Sequence, residues 1–562
     1  MKAFAALWQA LDATTSTAAK QAALQDYFRA AAPADAAWAV YLLAGGKPRQ
    51  AVAARQLRAL ACAVAGLPEW LFEECYQSAG DLAETIALLL PPPTAPQERS
   101  LAEWMAEVLA LRALPPEARA AALRAQWAAL PAEQRLLHGK LITGGWRVGV
   151  SRQSVVQALA AVAGLPATLL AQRLMGYTRA DARPSADDYQ ALLAAPKSAR
   201  TGGDAAAAAS PLDAQPYPFY LAHPLPADAD AAMALLGAPT DWLIEWKWDG
   251  MRAQLVRRST VALWTRGEEL VSDRFPELAA LGQRLPVGTV LDGEIVIVAG
   301  LAVQPFAALQ RRIGRQRPTA ALLRALPAAF IAYDVLEQDG CDVRADPQWR
   351  RRQRLQALVQ TMADPALRLS PLVAVEAATD WAALAALRAQ ARGRGAEGLM
   401  LKQRDGAYGV GRTRAAGVWW KWKADPYTVD AVLVYAQKGH GRRAGLFSDY
   451  TFALWSHPPG HPQRQLVPFA KAYSGLSDAE MARVDAIIRR TTRDHFGPVR
   501  AVQPTLVFEL GFEGLARSPR HKSGVAVRFP RILRWRTDKP VEEADTLQTL
   551  HALLGAAPEA LA

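Results

Sequence analysis

Cysteine is almost missing from this chain: Cys62, Cys75 and Cys341 are the only three in 562 residues, and they lie far apart. That excludes a disulfide framework and a four-cysteine zinc module, and it fits a reducing cytoplasm. Long apolar runs are missing too; none approaches the ~20 residues that cross a bilayer. The opening MKAFAALWQALDATT has Gln9 and Asp12 inside its apolar stretch. It reads as an amphipathic helix, because a secretion signal needs a longer unbroken core and a cleavage site. No internal repeat is visible. Acidic charge is in deficit: 53 Asp and Glu stand against 65 Lys and Arg, a net charge of +12. Such an excess favours a polyanionic partner such as nucleic acid, although an Arg-rich surface on an Ala- and Arg-biased chain gives the same sum. Apolar residues are plentiful, at 51%. That is enough to give a core to each of the three or four domains that about 100–200 residues apiece would allow.

Residues 1–195 read as almost wholly helical. In Ser100–Leu114 the apolar Leu101, Trp104, Met105, Val108 and Leu111 recur on one side. Breaks fall at Pro91-Pro92-Pro93, Pro115-Pro116 and Gly144-Gly145. Residues 196–215 are small and polar without periodicity and read as a linker. From 216 to 424 short β-rich runs (Trp242–Trp246, Ala253–Val256, Thr289–Val298, Phe330–Leu336, Gly398–Lys402) alternate with helical ones (Trp349–Met362, Trp381–Arg392), an α+β pattern. From 425 to 546, VDAVLVYAQ, YTFALW, TLVFELGF and GVAVRF read as strands of a small barrel such as an OB-fold. Residues 547–562 read as a short helix or frayed tail.

The chemistry lies in charged clusters at the ends of the central strands. The first is Glu245-Trp246-Lys247-Trp248-Asp249-Gly250-Met251-Arg252. A strand-end lysine followed by Asp-Gly and Arg can project into a cleft beyond a tight turn; alone it marks no more than a surface turn. Downstream follow Thr265-Arg266-Gly267, Leu291-Asp292-Gly293-Glu294, Ala332-Tyr333-Asp334-Val335-Leu336, Glu397-Gly398-Leu399-Met400-Leu401-Lys402 and Trp419-Trp420-Lys421-Trp422-Lys423. Arg528-Phe529-Pro530-Arg531 and Arg536-Thr537-Asp538-Lys539 close the series. In this order and at these gaps the clusters resemble the covalent nucleotidyltransferase superfamily of ATP-dependent DNA ligases and mRNA capping enzymes. Leu137-His138-Gly139-Lys140-Leu141, Trp146–Ser151 and Val155–Leu159 resemble the helical DNA-binding domain of larger ligases, and Val507–Thr546 their final barrel strands. The architecture this implies has three parts: an all-α DNA-binding domain, an α+β nucleotidyltransferase domain with antiparallel sheets, and a C-terminal OB-fold β-barrel.

The resemblance implies roles. Lys247 becomes the nucleophile that carries AMP. A lysine of ordinary pKa ~10.4 is mostly protonated at neutral pH, so Lys247 must lose its proton, helped by nearby Lys421, Lys423 and bound metal. Glu294 and Glu397 would hold Mg²⁺, with Mn²⁺ as a substitute; Glu294 has the ribose as an alternative. Glu245 would accept a hydrogen bond from the adenine amino group, and Tyr333, where many relatives have Phe, would stack on the base. Arg252 and Arg266 would grip ribose or phosphate. Lys421 and Lys423, alternating with tryptophans, would aim two charges at the α-phosphate. In Tyr408–Arg414 the arginine near the nucleotide would be Arg414, ahead of Arg412. Arg528, Arg531, Arg534, Arg536 and Lys539, with Asp538 between them, would meet the triphosphate when the barrel closes. Lys140, Arg147 and Arg152 would contact DNA phosphates. The run Arg350-Arg351-Arg352 reads as a solvated helix face.

The implied activity is ATP-dependent sealing of nicks in duplex DNA through lysyl-AMP. The chain would act as a monomer in a bacterial cytoplasm, with the nucleoid, in repair. An RNA ligase or capping guanylyltransferase and a decayed DNA-binding relative are the rival readings. The N-terminal helices and Glu245 stand against the first, and the intact Lys247, Glu294, Glu397, Lys421 and Lys423 against the second.

Overall fold

The computed structural model describes the chain except residues 80, 145–148, 180, 196–213, 226–228, 316, 374–379, 415–416, 440–444, 497–498 and 557–562. Most of the expected linker, the DNA-contact candidate Arg147 and the last six residues therefore lie outside the described residues.

From Lys2–Ala13 to Ala186–Leu193 the described chain is helix and turn only. The helix Leu101–Ala110 shows how. Ser100 accepts from the Glu103 backbone while the Glu103 side chain accepts from Ser100, satisfying two end donors. The 3–4 spacing then buries Leu101, Trp104, Met105 and Val108. His138, on the helix Arg135–Thr143, is wholly enclosed in the same core. Its Nε2 lies 3.0 Å from Gln126 Oε1, and its ring meets Trp104 edge-on at 5.5 Å.

Burial pushes the His138 imidazole down to about 3. The unfolded chain has an ordinary histidine near 6.5. Between those values the unfolded state holds a proton that the native state refuses. Stability is therefore fully present above about pH 6.5 and is lost as pH falls, by up to about 1.4 kcal/mol per pH unit. Substituting His138→Gln is expected to flatten the decline of the urea midpoint between about pH 6 and about pH 4. An unchanged decline would assign the acid sensitivity to other groups.

The central region holds two sheets. Trp242–Trp248 is an edge of a four-stranded sheet with Ala396–Gln403, Trp419–Lys423 and the short strand at His223. Met251–Arg257 belongs to a seven-stranded sheet, between the edge strand Val261–Thr265 and the central strands Thr289–Ala299 and Ala328–Gln338. The chain crosses from one sheet to the other through Asp249-Gly250. A β-carbon on Gly250 would stand 2.5 Å from the Ile295 carbonyl and 2.7 Å from Glu294 Cγ, so only glycine lets the crossing pass this close. Helix Gln348–Met362 packs on the strand Ala328–Gln338.

In the C-terminal region the long strand Tyr427–Lys438 pairs with Phe447–Trp455, Val499–Val502 and Val507–Phe512, all antiparallel. These wrap a core that includes Phe452, Phe508 and Ile488. Ile488 comes from a helix, Asp478–Thr491, capped reciprocally by Ser477 and Glu480. The strand pattern read from the sequence omits this helix. Leu547–Ala556 is helical, and Leu550 is buried in this core.

Candidate active site

Lys247 stands at the sheet crossing, and a register shift aims its partner at it. Ala396 pairs with Trp248 and Leu399 with Trp246, so Glu397 and Gly398 together face Lys247. Two residues against one is a β-bulge, which turns a side chain that strict alternation would send elsewhere. Lys247 Nζ thus donates to Glu397 Oε2 in a short contact. Gly398 makes the bulge feasible: its φ is +144°, and a β-carbon there would lie 2.2 Å from the Trp422 carbonyl.

Charges converge on this pair. For Glu397, burial works upward, but the charge and hydrogen bond of Lys247, with Lys423 and Arg528, hold the carboxyl at about 2. Glu294 lies across the crossing. Burial pushes it up to about 8, with Glu397 adding to the rise and Lys247 and Arg252 opposing it. Asp249 is raised by burial and by Glu397, against the pull of Arg528. Lys421 is lowered by burial and then by Lys247, Lys423, Arg412 and Arg266. Trp420 and Trp422 are buried on the opposite side of the strand from Lys421 and Lys423, as alternation predicts, while Trp419 shares the lysine side and reaches Tyr333 edge-on at 6.3 Å.

Several expectations meet a different arrangement. Arg350–Arg352 is not a solvated face. Arg351 is 0% exposed and grips Asp334 through Nε at 2.8 Å and Nη2 at 3.0 Å. Arg352 is 6% exposed and reaches Glu245 Oε1 at 3.4 Å. Only Arg350 is exposed. The reason is that Gln348–Met362 lies against the sheet, and its inward positions meet buried carboxylates. Arg252 is engaged with Asp292, through Nη2 at 2.7 Å and Nε at 3.2 Å, and with the Tyr220 carbonyl at 2.6 Å. Tyr408 also donates to Asp292, at 2.7 Å. Arg266 is exposed beside the cleft, its backbone N–H held by the Arg252 carbonyl. Arg414 lies 5.1 Å over the ring of Trp420, away from the lysine side, whereas Arg412 is among the charges felt by Lys421.

The C-terminal cluster divides. Arg528 bonds both oxygens of Asp249, at 2.9 and 2.6 Å, and lies 3.9 Å from Glu397 Oε1. Arg531 pairs with Glu513 at 2.8 Å, and Glu513 meets Lys423 at 3.4 Å. Arg534 pairs with Glu509. Arg536 and Lys539 instead share Asp430 Oδ2, and Arg536 also holds Asp538, all within the C-terminal region. Of the N-terminal candidates, Lys140 is paired with Asp81. Arg152 pairs with Glu268 of the central region, so it bridges two regions of the chain instead of facing solvent.

Sequence reasoning assigned no role to Lys402, Asp249, Asp292 or Tyr408. Lys402 is 1% exposed and bonds Glu245 at 3.2 and 3.3 Å. Its signal in the sequence is its place directly after the apolar run Leu399-Met400-Leu401.

A strand-end lysine in a charged cleft between two largely antiparallel sheets, overhung by an arginine from a separate β region, is the arrangement that the resemblance to covalent nucleotidyltransferases implies. The model for the ATP dependent DNA ligase domain matches residues 220–423, that for the DNA ligase N terminus residues 1–160, and that for the ATP dependent DNA ligase C terminal region residues 443–539. A probable DNA ligase of Koribacter versatilis is 30% identical over 98% of this chain and 95% of its own length. A probable DNA ligase of Opitutus terrae is 34% identical over 77% of this chain, and the match spans 46% of that longer protein. The solved structure of Pmar-Lig_PreS3 shares the fold over 95% of this chain and 99% of its own, with a TM-score of 0.60 at 15% identity. The chain belongs to the ATP-dependent DNA ligase family.

Proposed function

We propose that Lys247 is the residue that carries AMP and that the chain seals nicks in duplex DNA in three transfers. The Lys247 amine attacks the α-phosphate of ATP, an N–P bond forms and pyrophosphate leaves. A 5′-phosphate oxygen at the nick then attacks the same phosphorus and the amine leaves. Finally the 3′-hydroxyl attacks the activated 5′-phosphate and AMP leaves. The observation that carries this reading is the bulge that sets Glu397 on Lys247, with Lys421 and Lys423 on the same side of the site. While Lys247 donates to Glu397 its lone pair is not free, so the pair must part, or the proton leave, before attack.

Glu245 would accept the adenine amino hydrogen, Tyr333 would stack on the base, and Arg252, Arg266 and Arg412 would line the ribose and phosphates. Arg528 and Arg531, the C-terminal cations nearest the cleft, would orient pyrophosphate. Among the described residues no three potential ligands cluster as a ready cation cage. Glu294 and Glu397 nonetheless fit Mg²⁺ or Mn²⁺, because such ions take one or two carboxylates and complete their shell with phosphate oxygens and water. When bound, the ion would lower the charge barrier at phosphorus. Monomeric action, a place with the bacterial nucleoid and a role in repair extend the same reading; the bacterial relatives support the bacterial setting alone.

The test is sealing of a labelled nicked duplex with Mg²⁺. Joining with ATP and not with GTP is the expected result, weakening as salt rises because phosphate contacts release counterions. Equal use of GTP would favour the capping-type reading. Joining confined to RNA strands would favour an RNA ligase.

A further inference from the structure

We propose that Arg352 is a specificity-determining positioning residue: with Lys402 it holds the Glu245 carboxylate as a pure acceptor, so that the site takes purines bearing an amino group at C6. The proposal rests on reading Glu245 as the group that faces the base.

Glu245 lies two residues before Lys247 on one strand, so both side chains leave the same face. It is 1% exposed. A carboxylate enclosed this far from water needs donors for its oxygens. Two cations supply them. Lys402 Nζ reaches both oxygens, at 3.2 and 3.3 Å, and Arg352 Nη1 reaches Oε1 at 3.4 Å. The distinction matters for base choice. An ionised carboxylate only accepts hydrogen bonds, whereas a protonated one also donates. A pure acceptor welcomes the 6-amino group of adenine and meets the 6-keto oxygen of guanine lone pair to lone pair.

Lys402 alone is a weaker guarantor. It is buried, and burial lowers its own affinity for the proton against the support of Glu245. A guanidinium stays charged in such a place. Arg352 is also anchored: Nη2 donates to the Ser370 carbonyl at 2.6 Å. Ser370 is fixed in turn, its N–H on the Ala332 carbonyl at 2.8 Å and its hydroxyl against the Trp248 indole N–H at 3.2 Å. One arm of Arg352 thus grips a fixed carbonyl while the other sets the carboxylate. The neighbouring Arg351 is occupied with Asp334 and takes no part.

The experiment measures protein–nucleotide adduct formation with ATP, GTP and purine riboside 5′-triphosphate, which lacks the 6-amino group. It compares the unaltered chain with Arg352→Met, Arg352→Lys and Glu245→Ala. The unaltered chain is expected to prefer ATP over the purine riboside compound by about 100-fold or more. Arg352→Met is expected to cut that ratio at least about tenfold, through a raised KM for ATP with kcat within about threefold. Arg352→Lys keeps the charge and loses the second arm, so its ratio falls between the two. A ratio does not depend on how much protein is active, so partial misfolding does not mimic the effect, and Arg352→Lys answers the question if Arg352→Met does not fold. Ratios unchanged in the Arg352 variants but lowered in Glu245→Ala overturn the role of Arg352 and leave Glu245 at the base. An unchanged ratio in Glu245→Ala overturns the reading of Glu245 itself.

Discussion

Lys247→Ala is expected to gain no AMP when incubated with ATP and Mg²⁺, while the unaltered chain gains one, as read by intact mass. The rate of adduct formation falls at least about 10⁴-fold, the scale on which a covalent nucleophile is missed. The size of the effect follows from the site. Lys421 and Lys423 lie two strands over, beyond Ala396–Gln403, and Lys423 is paired with Glu513. Lys402 is enclosed with Glu245. None of these amines stands at the sheet crossing that the bulge directs Glu397 towards. Arginine is no substitute, because a guanidinium keeps its proton and has no lone pair to offer; Lys247→Arg is expected to be equally inert. Both variants should still join a nick whose 5′ end already carries AMP, since that transfer needs no lysine nucleophile. An AMP adduct on Lys247→Ala would place the nucleophile elsewhere. Loss of joining on the pre-adenylated nick would show that the substitution had damaged more than one group.

Arg528→Ala is expected to separate the same two reactions in a different way. Arg528 reaches from the C-terminal β region to Asp249 and towards Glu397, so in this arrangement that region overhangs the lysine. On the proposed function, long duplex DNA would approach the same cleft, so the arrangement that serves ATP would differ from the one that serves the nick. Removing a preorganised donor aimed at developing phosphate charge costs about 10²–10³ in rate. That loss should fall on adduct formation from ATP. Sealing of the pre-adenylated nick should change by less than about threefold, because Arg528 is then withdrawn. Equal losses in both assays would mean that Arg528 serves a single arrangement throughout, or that Asp249, once deprived of its partner, disturbs the whole site.

Much of this was legible from residue order. The helix Leu101–Ala110 follows from a cap and a 3–4 apolar spacing. The strands around Lys247 follow from β-rich runs ending in Asp-Gly, and the side chosen by Lys421 and Lys423 follows from alternation. These features are local: a turn, a cap or a pleat is decided by residues within a few positions of one another. The helix Asp478–Thr491 is masked in the sequence by the strand texture around it, although its Ser477–Glu480 cap is as local as any.

The fate of the charges was a different matter. Nothing near Arg350-Arg351-Arg352 says that two of the three are buried. Their partners, Asp334 and Glu245, lie 17 and 107 residues away. The same holds for Arg252 on Asp292, Arg152 on Glu268, and Arg536 with Lys539 on Asp430. Sequence by itself determined which residues could do the chemistry and in what order they come, because reactivity belongs to the side chain and turn geometry to its neighbours. Tertiary structure alone decided which of the many cations are free to meet a phosphate and which are spent on a carboxylate. That choice is made by desolvation and contact between segments far apart in the chain, where a buried charge must find an opposite one.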